Sequence, residues 1–186
     1  MKVYNLTEIK TIEISPDSII FTKKTRKWCL LPYPNHPRGC PNYNKNPLCP
    51  PFAEFLEEKV KKFNYFYLIY AVFNFREYTR KMMKRHPTWT ERQARNLLYW
   101  QNSIKKMIRD HLKRILHENS NLEFYLLGCG SGFNDKSFKQ EKIYSMEAAG
   151  INVFSVLKNN DISFEIKPKN RVILTTLLCT YNPLIL

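Results

Sequence analysis

The feature that most constrains this chain is a proline-rich segment, residues 32–51, which holds seven of the eleven prolines in the sequence. Proline has no backbone N–H to donate and its ring fixes one backbone dihedral, so this segment cannot form a regular helix or a central strand. Three of the five cysteines, Cys29, Cys40 and Cys49, lie in or beside it. The sequence therefore predicts a stiff, irregular loop carrying several thiols over residues 28–51, which we call the cysteine loop.

The thiols of the cysteine loop follow the spacing Cys29-x10-Cys40-x8-Cys49. An odd total of five cysteines fits a disulfide framework poorly, and disulfides are rare in a reducing compartment. Thiolates bind soft or borderline metals strongly, and an ordered loop can hold three of them close together. The spacing matches neither the paired knuckles of a zinc ribbon nor the bacterial ferredoxin run, so it indicates a metal centre without naming the metal. The alternative is three buried or incidental thiols.

The length and composition are those of a folded protein. With 186 residues, 44% of them hydrophobic, the chain can bury one substantial core, which favours a single metal-binding domain over residues 1–186. No run reaches the roughly 18 apolar residues of a membrane span, and the first residues lack the apolar core of a signal peptide. We therefore expect a cytoplasmic protein that does not enter a membrane.

Hydrophobic periodicity divides the rest of the chain into strands and helices. The predicted strands are residues 10–15, 19–21, 65–73, 122–127, 162–166 and 171–179. The predicted helices are residues 52–60, 90–115 and 145–157. The second starts at a capping box formed by Thr90 and Gln93, and the third has a candidate break at Gly150. The last two strands are expected to close as a hairpin around Pro168. This order of elements predicts an α+β fold, a mixed sheet packed by helices, interrupted by the cysteine loop.

Two blocks of the sequence resemble a family of uncharacterised, predicted metal-binding proteins of archaea and anaerobic bacteria. The first is the Cys-Pro-Pro element that ends the cysteine loop, Cys49-Pro50-Pro51. The second is residues 145–153, Ser-Met-Glu-Ala-Ala-Gly-Ile-Asn-Val, which is similar to a Ser-Met-Glu-Ala-x-Gly-Ile-Asp-Val segment of that family. The resemblance implies an iron–sulfur protein. Members often carry several cysteines just before the second block, where this chain has only Cys129, so a second cluster is not expected.

The predicted ligands are Cys29, Cys40, Cys49 and Cys129. Four thiolates would complete a [4Fe-4S] cluster, whereas three would leave one iron open to a substrate, sulfide or water. Cys129 is favoured as the fourth because its glycine neighbours allow close approach. His36 lies between two of the loop cysteines and is an alternative ligand to zinc or to the fourth iron. Cys179, in an apolar strand, is expected to be a core residue.

The net charge of +14, from 30 Lys and Arg against 16 acids, creates a field that attracts phosphate groups. The basic residues of the long predicted helix are Arg92, Arg95, Lys105, Lys106, Arg109, Lys113 and Arg114. With Tyr99 and Trp100 nearby to stack on bases, this helix face is a candidate surface for RNA or DNA, tRNA included. Aromatic residues at this helical spacing are also typical of a core. The alternative is a lysine-rich surface that only keeps the protein soluble.

The sequence leaves open whether the protein is an enzyme. The glycine-rich turn after the strand at residues 122–127 is similar to the S-adenosylmethionine turn of Rossmann methyltransferases, but too little chain follows it to complete that fold. No paired catalytic carboxylates or P-loop can be identified, so any catalysis depends on the metal. The leading function is an iron–sulfur protein with a redox, structural or sulfur-handling role. The alternatives are a structural zinc protein that binds nucleic acid and a cluster-dependent enzyme of tRNA sulfur transfer.

Overall fold

A single antiparallel sheet organises the chain, in a computed structural model that describes residues 3–32, 36–130, 133 and 135–185. The strands are β1 (Thr7–Ile14), β2 (Tyr65–Asn74), β3 (Phe124–Leu127) and β4 (Arg171–Thr180), in the order β1-β2-β4-β3. The predicted α+β class is confirmed. The sheet is antiparallel rather than mixed, because each neighbouring pair of strands runs in opposite directions. Within the described chain, parallel pairing occurs at one isolated bridge, between Gly128 and Ser145.

The described residues form five α-helices. They are α1 (Glu57–Val60), α2 (Phe75–Arg85), α3 (Glu91–Ala94), α4 (Gln101–Glu118) and α5 (Val153–Asn159). Short 3-10 helices cover Val3–Leu6, Pro16–Ser18, Thr25–Leu30 and Leu97–Tyr99. No helix in the described part of the chain is long and apolar enough to cross a bilayer.

Both faces of β2 are buried, which explains why its sequence is an almost continuous apolar run. Its even-numbered residues from Phe66 to Tyr70 belong to one hydrophobic cluster, with Met146, Ile151 and other residues of the 145–157 region. Its odd-numbered residues from Tyr67 to Phe73 belong to a second cluster, with residues of α2 and α4. Successive side chains of a strand point to opposite faces, so one strand anchors both layers.

The N-terminal strand pairs with a distant partner instead of turning back on itself. The predicted strand at residues 19–21 is wrong: Ser15 caps the 3-10 helix Pro16–Ser18, and Phe21 makes only a single bridge, to Ile151. β1 instead pairs with β2 along its whole length, from Thr7 opposite Phe73 to Ile14 opposite Phe66. Burial of both faces of β2 accounts for this long-range pairing.

The long helix predicted for residues 90–115 is divided. The capping box of Thr90 and Gln93 is confirmed, yet α3 ends at Ala94. The Asn96 side chain then accepts a hydrogen bond from the Leu98 N–H (3.0 Å) and starts a 3-10 helix. Trp100, 2% exposed, turns into the core before α4 begins. Burial of this one large ring is the physical reason for the break.

Three further predicted elements are shortened or absent. The helix predicted for residues 52–60 is reduced to α1 (Glu57–Val60). Residues 162–166 form no strand, and β4 pairs with β2 and β3 instead of closing a hairpin. Of the helix predicted for residues 145–157, only α5 forms. The preceding residues make turns that end at Gly150, whose φ of 102° does not fit a helix.

Candidate metal centre

The first two cysteines of the loop are joined through their backbones. Cys29 lies on the 3-10 helix Thr25–Leu30, and its carbonyl accepts a hydrogen bond from the Cys40 N–H (2.7 Å). Gly39 precedes Cys40 with a φ of 81°, and a Cβ on it would overlap the Cys29 carbonyl oxygen. Only glycine allows the chain to approach Cys29 this closely.

Turns hold the third cysteine. The Tyr43 N–H donates to the Cys40 carbonyl (3.1 Å), and the Cys49 N–H donates to the Asn46 carbonyl (2.9 Å). The Ala53 N–H in turn donates to the Cys49 carbonyl (3.0 Å). The predicted irregular loop is confirmed over its described residues, and consecutive turns rather than strands fix its shape. Residues 33–35 of the loop lie outside the described chain.

Hydrogen bonds from Arg26 connect the two ends of the cysteine loop. Its guanidinium donates to the Pro51 carbonyl (3.0 Å) and also to the Ala53 carbonyl. Arg26 lies three residues before Cys29, and Pro51 two residues after Cys49. The Cys29 and Cys49 backbones are therefore tied into one unit by a planar side chain with several donors.

The three loop thiols influence one another and are all partly exposed. The pKa of Cys29 is raised to about 11, first by burial, then by the neighbouring Cys40, Cys49 and Glu147 side chains and by a hydrogen bond with the Cys40 thiol. Burial, followed by Cys40, also raises the pKa of Cys49. Thiols that raise each other's pKa in this way lie close together, and a bound cation would stabilise all three thiolates at once.

The thiols are neighbours, but in the described chain they do not form a preassembled site for one metal ion. In residues 3–32, 36–130, 133 and 135–185, no three His, Cys, Asp or Glu side chains form a group that could hold a single metal ion. His36, the alternative ligand, adds no such group; its carbonyl accepts from the Gly39 N–H (3.0 Å) in a turn. The donor set that the loop offers is therefore three soft thiols, of which those of Cys29 and Cys40 are close enough to form a hydrogen bond.

The second block of the resemblance, residues 145–153, lies directly against the cysteine loop and its flanks. The Thr25 hydroxyl, one turn before Cys29, donates to the Glu147 carbonyl (3.1 Å). The Leu56 N–H donates to the Ala149 carbonyl (3.0 Å). Two blocks separated by about a hundred residues in the sequence thus form one structural unit.

Gly150 sets how closely the block meets the segment that follows the loop. A Cβ on Gly150 would overlap the Phe55 ring, and the Thr22 N–H donates to the Gly150 carbonyl (2.7 Å). Just beyond the block, the Phe154 ring lies against Trp28, the residue before Cys29, with centroids 5.1 Å apart. The 145–153 block and Phe154 therefore pack against the segments on both sides of the cysteine loop.

Cys129 lies in a different environment from the loop thiols. It follows β3 in the hydrophobic cluster on the α2 and α4 side and is 6% exposed. Burial raises its pKa to about 12, and the groups that act most on its thiol are Lys105, Glu147 and Arg109. Glu147 is therefore a neighbour of both Cys29 and Cys129.

Sequence reasoning missed two polar residues at this site, Glu147 and Lys105. Lys105 was placed on a solvent-facing helix, yet it is 5% exposed, and burial lowers its pKa. Burial also raises the pKa of Glu147. Hydrogen bonds from its own N–H and from Ser145, together with the charge of Lys105, lower that pKa and offset part of the rise. Helical spacing gives one signal for Lys105, since it adjoins Ile104 and precedes Ile108 on the apolar face.

Cys179 is a core residue, in agreement with its predicted role. It lies on β4, fully buried, opposite Phe66 of β2. Desolvation alone raises its pKa. Nothing in this environment favours a thiolate, so Cys179 is a suitable control in experiments on the other thiols.

The basic face predicted for the long helix carries less positive charge than its sequence indicates, because acidic side chains pair with several of its basic residues. Arg109 and Lys113 both face Asp135, at 3.7 and 3.0 Å. Lys106 is 3.8 Å from Asp110 in the next turn. Trp100 is buried and cannot stack on a base, whereas Tyr99 is 49% exposed.

The fold and the thiol site together define a class of protein: an α+β domain with a cysteine loop suited to a metal. A family model matches residues 12–179, nearly the whole chain, and its description is "Predicted metal-binding protein (DUF2284)". The chain belongs to this family, which confirms the resemblance to uncharacterised, predicted metal-binding proteins. No curated protein and no solved structure matches the chain.

Proposed function

We propose that this protein binds an iron–sulfur cluster, of the [4Fe-4S] type, through Cys29, Cys40 and Cys49. The observation that carries the proposal is the grouping of these three thiols, which interact with one another at the surface of a loop held by turns and by Arg26. Membership of a family of predicted metal-binding proteins supports a metal, and the choice of iron and sulfide rests on the thiols.

The choice of a cluster rests on a donor set made only of thiols in an irregular loop, with Cys129 available as a fourth thiolate for a four-iron cluster. A structural zinc ion bound by the same thiols is the alternative, and the two differ in their content of iron and acid-labile sulfide.

Cys129 remains our candidate for the fourth thiolate. Its link to the loop is Glu147, which lies near both Cys29 and Cys129. When bound, the cluster would supply electron transfer, or a Lewis-acidic iron if Cys129 does not bind. The chain's own contribution is to lose the thiol protons, to hold the loop and to place Lys105, a buried cation, beside Cys129.

Metal analysis of protein purified without oxygen tests the proposal. We expect a brown protein with iron and acid-labile sulfide in equal amounts, about four of each per chain for a [4Fe-4S] cluster. Cys40→Ser and Cys49→Ser should each remove most of the iron, and Cys179→Ser should retain it. Stoichiometric zinc without sulfide would replace the cluster with a structural zinc site. Full iron content in both loop variants would disprove the assignment of the loop.

A further inference from the structure

A partly exposed stack of aromatic rings joins the turn between α2 and α3 to the 3-10 helix Leu97–Tyr99. The His86 and Trp89 rings are parallel within 13°, with centroids 4.0 Å apart. Trp89 stacks in turn on Tyr99, with centroids 5.1 Å apart and planes 23° from parallel. Tyr99 ends the stack in the described chain, and 49% of its surface is exposed. We call these three residues the aromatic platform.

The surrounding structure holds the platform in place. The Trp89 N–H donates to the His86 carbonyl (2.9 Å), so a tight turn sets the two rings one above the other. The capping box at Thr90 fixes the chain after Trp89. Beyond Tyr99, the buried Trp100 packs against Phe73 with centroids 5.2 Å apart. The rings are therefore preorganised, which lowers the entropy lost when a ligand stacks on them.

The charge around the platform is strongly positive. Residues 76–99 contain seven Lys and Arg and two Glu, which gives them five of the fourteen net positive charges. Lys84 and Arg85, at the end of α2 next to His86, are exposed and form no ion pair within the described chain. The α4 face differs, because Lys106, Arg109 and Lys113 are paired with acids.

We propose that the aromatic platform binds a single strand of nucleic acid, with a base stacked on Tyr99 and phosphates near Lys84 and Arg85. Stacking on aromatic rings beside basic residues is how proteins hold unpaired strands, since every base presents a flat face. The exposed Leu98 (79%) and Leu97 (49%) would also suit an apolar protein surface. A protein partner, however, would leave the parallel rings and the local charge unexplained. This inference is independent of the metal.

Fluorescence anisotropy with labelled oligouridylate and oligoadenylate of about 12 nucleotides, alongside a duplex of equal length, tests the proposal. The full chain should bind the single strands more tightly than the duplex. Tyr99→Leu retains apolar bulk without the ring and should weaken binding by roughly tenfold, whereas Tyr99→Phe should bind as the natural protein does. Lys84→Ala with Arg85→Ala should reduce the dependence of affinity on salt.

Matched variants make the test decisive. Lys106→Ala with Arg114→Ala removes two charges of α4 away from the platform and should change affinity less than twofold. The thermal midpoint of each variant checks that the fold is intact. Equal binding by Tyr99→Leu and the natural protein would overturn the proposal, as would loss of binding only in the α4 variant. A dimer that Leu98→Lys disrupts, in a protein that binds no oligonucleotide at low salt, would assign the surface to a second copy instead.

Discussion

Glu147 is the residue at which the two thiol environments meet. Its charge raises the pKa of Cys29 and of Cys129, and the charge of Lys105 in turn lowers the pKa of Glu147. A carboxylate here opposes the loss of thiol protons, and the buried lysine offsets part of that repulsion. Because three or four thiolates would add further negative charge, we expect Lys105 to compensate for it.

The fourth ligand can be tested by changing single thiols. Cys129→Ser should lower the iron content and change the visible spectrum if Cys129 completes the cluster. Cys179→Ser is the matched control, because Cys179 is equally buried but lies on β4 in an apolar setting. It should keep its iron and lose about 1 to 3 kcal/mol of unfolding free energy from the buried hydroxyl. Unchanged iron and spectrum in Cys129→Ser would instead leave the fourth position open to a substrate.

The raised pKa of Cys29 gives a second prediction at the scale of one residue. In the metal-free protein this thiol should stay protonated at neutral pH, and its alkylation by iodoacetamide should be half-maximal only near pH 11. Mass spectrometry of the Cys29 peptide after short exposures measures this. Glu147→Gln removes one of the raising charges and should move the midpoint to lower pH. A midpoint near pH 9, as in a free thiol, would contradict the close grouping of the loop thiols.

At the scale of elements, Gly150 should control how the block at residues 145–153 seats against the chain after the cysteine loop. Gly150→Ala adds about 1 to 3 kcal/mol of backbone strain and an overlap with the Phe55 ring. We expect a lower urea midpoint for the metal-free protein and less iron in the purified one. Gly130→Ala is the control, since its φ of 62° is also positive but an added Cβ would lie 3.7 Å from Lys105 Nζ. If the two variants lose equal stability, the overlap with Phe55 has no effect.

Elements fixed by local signals could be predicted from the sequence, and those fixed by distant contacts could not. The capping box at Thr90 and the apolar run of β2 are local patterns, and both were identified correctly. The partner of β1 and the break at Trp100 depend on which surfaces are buried in three dimensions, which no short window contains. In the site, the grouping of the three loop cysteines followed from their spacing and prolines. The burial of Lys105 was missed because the basic residues around it outweighed the one local signal, its helical spacing to Ile108 on the apolar face.

At the scale of the whole molecule, removal of the metal should loosen the cysteine loop and leave the sheet and its helices folded. The two hydrophobic clusters lie on the two faces of the sheet, and among the described residues of the cysteine loop only Leu48 packs against one of them, at its edge. We expect chelation to preserve the far-ultraviolet circular dichroism. The peptide bond after Lys45, between Cys40 and Cys49, should then become susceptible to cleavage by trypsin. Cleavage mapped by mass spectrometry checks this. Loss of the circular dichroism along with the metal would mean that the sheet itself depends on the centre.

The strand order carries a consequence for biosynthesis. β4 lies between β2 and β3 in the sheet, yet it is the last of the four strands in the chain. A nascent chain that has emerged from the ribosome through β3 therefore presents β2 with one open, apolar edge. Such an edge invites pairing with other chains and recruits chaperones. The loop cysteines emerge earlier still, so the thiols of the proposed metal centre leave the ribosome before the sheet beside them can be completed.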